Sequence, residues 1–131
     1  MNILVVDDQR DIRDMLTALL EDSGYSVATA ANGRVALDYL RESAELPRLI
    51  LLDIAMPVMT GWDFLREQQR DDRLASIPVI IMTARGHFDN EGHDVFAADY
   101  IHKPTELQTL LAVIEHHCAV GNDHITSEYS V

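Results

Sequence analysis

Five polar side chains follow short apolar runs of the sequence, and their chemical types suit the handling of a phosphoryl group. Three are acids, Asp7, Asp8 and Asp53, and the others are Thr83 and Lys103. Three carboxylates that lie within several ångström of one another cannot all be ionised without a cation. Because these donors are oxygens, we expect Mg²⁺ (or Mn²⁺) at such a cluster rather than Zn²⁺.

A carboxylate that attacks a phosphoryl group brings two anions together, so the phosphoryl oxygens need positive charge around them. The cation can neutralise one phosphoryl oxygen and the ammonium of Lys103 can neutralise another. The Thr83 hydroxyl can donate a hydrogen bond to the third. Each residue alone has a simpler interpretation, such as a helix cap or a surface charge. The hypothesis therefore depends on their convergence in space.

These residues end the strands of a predicted parallel sheet. Five apolar runs, most of them continuous, are typical of strands buried on both faces: Ile3–Val6, Tyr25–Ala28, Leu49–Leu52, Val79–Met82 and Tyr100–Ile101. We predict a flavodoxin-like, doubly wound (βα)5 α/β fold with strand order 2-1-3-4-5, in which ligands bind beyond the carboxyl ends of the strands. The Lys103–Pro104 bond is a candidate cis peptide that would direct Lys103 toward this edge.

Helical patterns separate the predicted strands. The first helix ends at Gly24, the second follows an Asn32 cap, and the third follows a Thr60 cap. The residues predicted to face the core are Ile12, Met15, Leu16, Leu19 and Leu20 in the first helix, Ala36, Leu37 and Leu40 in the second, and Trp62 and Leu65 in the third. The polar residues 66–73 are predicted to face water.

The last part of the sequence has weaker patterns. Only a short helix is predicted between Gly86 and Ala98, because this segment has two glycines and few apolar residues. A Thr105-x-x-Gln108 capping box begins the last helix after Pro104. Its predicted core residues are Leu107, Leu110, Leu111 and Ile114. Since periodicity fades after His117, we divide the chain into a domain, 1–117, and a tail, 118–131, that is disordered or docks on a partner, with no output domain.

Composition narrows the functional classes. The 131 residues, 47% of them hydrophobic, suffice for one core. With 22 acidic and 10 basic residues the net charge is −12, so neither nucleic acid nor a membrane surface is an expected partner. The single cysteine, Cys118, cannot form an internal disulfide, and the N-terminal segment lacks a signal-peptide pattern. We therefore expect a cytoplasmic protein.

Four motifs resemble the receiver domain of two-component response regulators, in particular the single-domain regulators of chemotaxis. They are Ile3-Leu-Val-Val-Asp-Asp8, Leu52-Asp53-Ile-Ala-Met-Pro57-Val-Met-Thr-Gly61, Thr83-Ala84 and Asp99-Tyr-Ile-His-Lys-Pro104. The resemblance spans residues 1–117 and implies that Asp53 is the phospho-acceptor. A sensor histidine kinase or a histidine phosphotransfer protein would supply the phosphoryl group, and a downstream protein effector would respond to it.

The resemblance also implies roles for the residues around Asp53. Asp8, Asp53 and the backbone carbonyl of Ala55 would bind Mg²⁺ directly, and Asp7 would bind it through water. Thr83 and Lys103 would contact the phosphoryl group. Tyr100 would be the aromatic switch, whose rotamer follows the Thr83 hydroxyl when phosphate attracts it.

Two other functions stay open at this point. Phosphatases that use an aspartate nucleophile normally have a second acid two residues later, whereas position 55 is alanine. We therefore expect only self-phosphorylation from phosphodonors and slow self-dephosphorylation, not an enzyme. A binding module that takes no phosphate is the second alternative. The segment from Thr83 to Lys103 is about two residues shorter than in typical receiver domains, and Phe96 stands where the family usually has a helix-ending glycine. For the same reason we expect a monomer or a weak dimer.

Overall fold

The computed structural model describes residues 2–54, 56, 58–83, 97–102 and 107–122, in which strands and helices alternate. The elements are β1 (Asn2–Val6), α1 (Arg10–Asp22), β2 (Ser26–Ala30), α2 (Gly33–Glu42), β3 (Leu49–Asp53), α3 (Gly61–Arg70), β4 (Val79–Thr83), β5 (Asp99–His102) and α4 (Leu107–Asn122). Within these residues five parallel strands form one sheet in the order β2-β1-β3-β4-β5. The predicted doubly wound fold and strand order are confirmed.

Both faces of the sheet are buried, which explains the continuous apolar runs. Successive side chains of a strand point to opposite faces. Leu4, Val6, Ile50 and Leu52 pack on one side with residues of α2 and α3. Ile3, Val5, Leu49 and Leu51 pack on the other side with residues of α1 and α4. Because β2 lies at the sheet edge, its Ser26 and Thr29 are exposed.

Local hydrogen bonds end α1 and begin α2 and α3 as predicted. Helix α1 ends in a Schellman motif: Gly24 has φ +99°, its N–H donates to the Glu21 carbonyl at 3.0 Å, and the Tyr25 N–H donates to the Leu20 carbonyl at 3.0 Å. The Asn32 side chain accepts from the Val35 N–H at 2.9 Å at the start of α2. The Thr60 hydroxyl accepts from the Asp63 N–H at 3.1 Å at the start of α3. The sequence therefore sets these helix ends locally.

Two predictions about helices α1 and α4 are wrong. Met15 is 49% exposed, because the buried stripe of α1 is centred on Leu16 and Leu20 and no described element covers its flank. Helix α4 does not end at His117 but continues to Asn122. Cys118, four residues after the buried Ile114, is itself buried and extends the apolar stripe by one turn. The predicted division at residue 117 therefore falls inside a helix.

The prediction that residues 66–73 face water is wrong for Gln68, although Arg70, Asp72 and Arg73 are exposed. Gln68 is 1% exposed, and its side-chain amide donates to the carbonyls of Leu74 at 2.8 Å and Ile77 at 3.2 Å. The Arg73 guanidinium donates to the carbonyls of Leu40, at 3.0 Å, and Ser43 at the end of α2. Backbone carbonyls thus satisfy the buried amide nitrogen of Gln68, although its Oε1 has no hydrogen-bond partner among the described residues, and polarity alone does not reveal this burial.

Several predicted features lie outside the described residues. They are the short helix between 86 and 98, except for residues 97 and 98, the capping box residue Thr105, and the part of the predicted tail from 123 to 131. No helix in the described part of the chain has the length and apolar character needed to cross a membrane.

Candidate functional site

The carboxylates of Asp7, Asp8 and Asp53 come together at the carboxyl edge of the sheet. One oxygen from each lies within 4.8 Å of the others, and no other such group of acidic, histidine or cysteine side chains occurs among the described residues. Asp7 is 2% exposed and Asp53 is 7% exposed, whereas Asp8 is exposed. The three acids predicted to converge therefore do so, and their cluster opens to solvent on the side of Asp8.

Strand register explains this convergence. Val6 pairs with Leu52, so Asp7 is one residue beyond β1 at the level of Asp53, the last residue of β3. Asp53 in turn pairs with Met82, which places Thr83 one residue further along the neighbouring strand. Adjacent parallel strands thus bring these residues to one edge of the sheet, where the strand order reverses.

Hydrogen bonds on both sides fix Asp7. Its N–H donates to the Ala30 carbonyl at the end of β2, at 3.1 Å. Its Oδ1 accepts from the Gln9 N–H at 2.9 Å, which closes a turn between β1 and α1. The Arg13 guanidinium donates from Nη1 to the Asp7 carbonyl at 2.9 Å. The acid is therefore held in place before any ligand binds.

Gly61 packs directly against the strand end that contains Asp53. Its N–H donates to the Ile54 carbonyl at 2.9 Å. A Cβ atom at position 61 would lie 2.7 Å from the Asp53 carbonyl oxygen and 2.6 Å from Ile54 Cδ1. Only glycine permits this approach, so the first turn of α3 buttresses Asp53.

Among the described residues of the loop between Asp53 and α3, Val58 is in the left-handed region. Val58 has φ +71° and its side chain is 81% exposed. A β-branched residue is strained in this conformation. The neighbouring Met59 side chain lies against Gly33 at the start of α2, so this loop also contacts the second helix.

Negative charge dominates the cluster. Two carboxylates no more than 4.8 Å apart repel one another by at least about 3 kcal/mol at an effective dielectric constant of 20. The donors are oxygens, one side is open for water, and the 4.8 Å limit is close to the about 4.2 Å that separates opposite ligands of an octahedral Mg²⁺ ion. The residues therefore fit Mg²⁺ better than Zn²⁺.

The remaining predicted site residues are described only in part. Thr83 is the last residue of β4 and Tyr100 is the second residue of β5, but the description does not extend to their side chains. Ala55, Pro57, Lys103 and Pro104 lie outside the described residues. Thr83 pairs with His102, so the chain reaches Lys103 immediately after the strand position beside Thr83.

Sequence reasoning missed Arg13. The sequence did contain an indication of its role. A basic residue in the first turn of a helix interacts unfavourably with the helix dipole, so its presence there indicates a contact outside the helix. Arg13 is also four residues after Gln9, the N-cap of α1. This spacing places both residues on the same side of the helix, next to the turn that contains Asp7 and Asp8.

Cys118 and Tyr25 lie in the core between the sheet, α1 and α4. Burial raises the pKa of the Cys118 thiol. Burial, followed by the charges of Cys118 and Glu115, raises the pKa of Tyr25. A thiol with a raised pKa is protonated and weakly nucleophilic at neutral pH, so Cys118 is a core residue rather than a reactive one.

Comparison with known proteins agrees with this geometry. The family model for the response regulator receiver domain matches residues 3–115. Protein PilH of Pseudomonas aeruginosa is 38% identical over 117 residues, which cover 86% of this chain and 93% of PilH. Response regulator Rre1 of Synechocystis is 37% identical over 117 residues, 87% of this chain and 50% of Rre1. The chain thus spans about half the length of Rre1 and nearly all of PilH.

Solved structures give the same result. Chemotaxis response regulator CheY4 of Vibrio cholerae superposes with a TM-score of 0.79 at 32% identity, covering 88% of this chain and 97% of CheY4. A CheY-like receiver domain protein of Methanospirillum hungatei superposes with a TM-score of 0.84 at 26% identity, covering 94% and 98%. The chain belongs to the response regulator receiver domain family, the phospho-accepting signalling domains of two-component systems.

Proposed function

We propose that Asp53 accepts a phosphoryl group from a phosphohistidine of a sensor histidine kinase or of a histidine phosphotransfer protein. The observation that supports this assignment is the cluster of Asp7, Asp8 and Asp53 oxygens within 4.8 Å at the carboxyl edge of the sheet. Asp53 is the member of the cluster that Gly61 and the start of α3 buttress. Of the other two acids, Asp7 accepts a backbone hydrogen bond and Asp8 is exposed.

The transfer exchanges one bond for another. A carboxylate oxygen of Asp53 forms a bond to phosphorus while the nitrogen–phosphorus bond of the donor breaks. The donor imidazole leaves with the electron pair of that bond and takes up a proton from water. No oxidant or further reactant is needed, and the product is an aspartyl phosphate.

A bound Mg²⁺ ion would supply positive charge next to the phosphoryl oxygens. Asp8, Asp53 and the backbone carbonyl of Ala55 would hold it directly, and Asp7 would hold it through water. Asp7 and Asp53 are buried, so their repulsion is weakly screened and favours cation uptake. Mn²⁺ should substitute, since it also prefers oxygen ligands.

Lys103, Thr83 and Tyr100 complete the proposal. The Lys103 ammonium would neutralise a phosphoryl oxygen, and the Thr83 hydroxyl would donate a hydrogen bond to another. Tyr100 would follow Thr83 and transmit phosphorylation to the surface that binds a downstream protein. As a member of a family of signalling domains, the chain is not a classical enzyme. We propose that its own reactions are limited to self-phosphorylation and slow self-dephosphorylation, and a cytoplasmic location stays a prediction.

Mass spectrometry of the intact protein tests the acceptor. With Mg²⁺ and acetyl phosphate, the wild type should gain one acid-stable, base-labile phosphoryl group, and EDTA should prevent the gain. Asp53→Asn should gain none. Asp38→Asn is the matched control, because it removes one exposed carboxylate from α2 and leaves the cluster intact. An unmodified wild type, tested beside a receiver that is modified, would favour a binding module. Steady phosphate release from many monoesters would favour a phosphatase.

Lys103 can be tested separately because it is the only lysine of the sequence. Reductive methylation with ¹³C-formaldehyde labels Lys103 and the chain amino terminus alone. The Lys103 methyl resonance should shift when the protein is phosphorylated, and should not shift in Asp53→Asn. A resonance that stays in place in phosphorylated protein would refute the contact between Lys103 and the phosphoryl group.

A further inference from the structure

Arg13 lies one helical turn into α1 and reaches back to the acidic cluster. Its guanidinium Nη1 donates to the carbonyl oxygen of Asp7 at 2.9 Å, in a partly buried position. Its own N–H donates to the Gln9 carbonyl at 3.1 Å, as the first turn of the helix requires. The side chain therefore bridges the start of α1 and the turn after β1.

This bond acts on Asp8 through a shared peptide group. The Asp7 carbonyl and the Asp8 N–H belong to one planar unit, so a donor that fixes the carbonyl also fixes the direction in which the chain enters Asp8. On one side of this peptide group, the Asp7 N–H donates a hydrogen bond to the Ala30 carbonyl. On the other side, the Gln9 N–H donates to Asp7 Oδ1. Arg13 adds a constraint on the peptide group between these two bonds. Asp8 itself is exposed, so its orientation depends on this backbone.

Arg10 provides an internal contrast. It is on the same helix with the same charge, but its side chain is 83% exposed and pairs with Asp14, at 3.7 Å, on the helix surface. An exposed pair of this kind contributes little. A comparison of variants at the two positions therefore distinguishes an effect of long-range charge from an effect of the local contact.

We propose that Arg13 is a positioning residue of the cation site, which holds the Asp7–Asp8 peptide so that the Asp8 carboxylate meets the ion. This inference deepens the proposed function and depends on it. The two effects that Arg13 can have are opposite in sign. A guanidinium bound to the Asp7 carbonyl opposes a nearby Mg²⁺ ion by Coulomb repulsion, so its removal would strengthen Mg²⁺ binding if charge alone mattered. Loss of positioning weakens Mg²⁺ binding instead.

Mg²⁺ titration of the unphosphorylated protein tests the sign, with isothermal calorimetry or the fluorescence of Trp62 as the readout. Trp62 is the only tryptophan, and it follows Gly61 in the turn that packs against Asp53. Arg13→Met should raise the Mg²⁺ dissociation constant about tenfold, as loss of an outer-shell partner typically does. Arg13→Lys should recover part of the affinity, and Arg10→Met should not weaken binding. Circular dichroism checks that each variant is folded.

Each outcome decides one question. A wild type that binds no Mg²⁺ would refute the proposed cation site. A wild type that binds, together with an Arg13→Met variant of equal or higher affinity, would refute only the role of Arg13. Equal weakening in Arg10→Met would also refute it, because the loss of affinity would then not depend on the contact with the Asp7 carbonyl. If Arg13→Met does not fold, Arg13→Gln, which retains a donor of shorter reach, is titrated in its place and judged by the same criterion.

Discussion

Replacement of Gly61 by alanine should both destabilise the protein and slow phosphorylation of Asp53. The added methyl carbon would lie 2.7 Å from the Asp53 carbonyl oxygen, 2.8 Å from Ile54 Cα and 2.6 Å from Ile54 Cδ1. Two of these three atoms belong to the backbone, so a change of side-chain rotamer cannot relieve the clash with them. The strand end or the start of α3 must therefore shift, and Asp53 shifts with it.

The magnitude follows from two opposing terms. Overpacking a buried site costs about 1–3 kcal/mol, and alanine regains at most about 1 kcal/mol over glycine in a helix. We expect the free energy of unfolding to fall by about 1–2 kcal/mol. For a domain of this size that corresponds to a loss of roughly 5 °C in Tm. The rate of phosphorylation by acetyl phosphate should fall, because misplaced reacting atoms are costly.

Gly33→Ala is the matched control. Gly33 is also the first residue of a helix that follows a side-chain cap, but the nearest atom to its added Cβ is the Sδ of Met59, at 2.9 Å, in a flexible side chain. Its stability should change by no more than about 0.5 kcal/mol. Urea unfolding followed by circular dichroism measures both variants, and intact mass measures phosphorylation. Gly61→Ala with the stability of Gly33→Ala and the wild-type rate would refute the reasoning.

Three further predictions concern strain, a buried amide and pH. Val58→Asn should raise the free energy of unfolding by about 1 kcal/mol in urea titration, because asparagine tolerates the positive φ and Val58 is 81% exposed. Gln68→Ala should lower it by about 3 kcal/mol, since two buried carbonyls lose their donor; unchanged stability would contradict this. Burial raises the pKa of Cys118 and is the main cause of the raised pKa of Tyr25, so the folded chain keeps protons that the unfolded chain releases. The stability contributed by these two protonated groups should be fully present below pH about 8.5, the pKa of an unfolded thiol. The free energy of unfolding should fall as the pH rises toward the folded pKa values, and it should fall less steeply in Cys118→Ala.

The acids of the site could be predicted from the sequence because they depend on the sheet. Continuous apolar runs indicated parallel strands, and parallel strands place their carboxyl ends at one edge. Asp7, Asp8 and Asp53 follow from that rule without any knowledge of side-chain conformation. The helix ends at Gly24, Asn32 and Thr60 were equally predictable, because the bonds that form them lie within a few residues.

Other features could not be predicted because they depend on distant parts of the chain. Gln68 is polar and looked solvated, but carbonyls six and nine residues later accept hydrogen bonds from its amide nitrogen in the core. Met15 belongs to the apolar pattern of α1 and is nevertheless exposed, since its burial requires a neighbour that the described structure does not place there. Cys118 continues the stripe of α4 because the helix packs against the sheet for one turn more than the periodicity suggested.

The sequence by itself determined where the parallel strands lie along the chain and one local end of each of three helices, because apolar periodicity and capping are properties of short segments. The edge at which the acids meet follows from the strand ends, whereas the strand order was taken from the common solution for such sheets. Only the tertiary structure decided how the acids are held: by Arg13 on the Asp7 carbonyl and by Gly61 against Asp53. Those contacts join different elements, and their distances depend on how helices pack on the sheet.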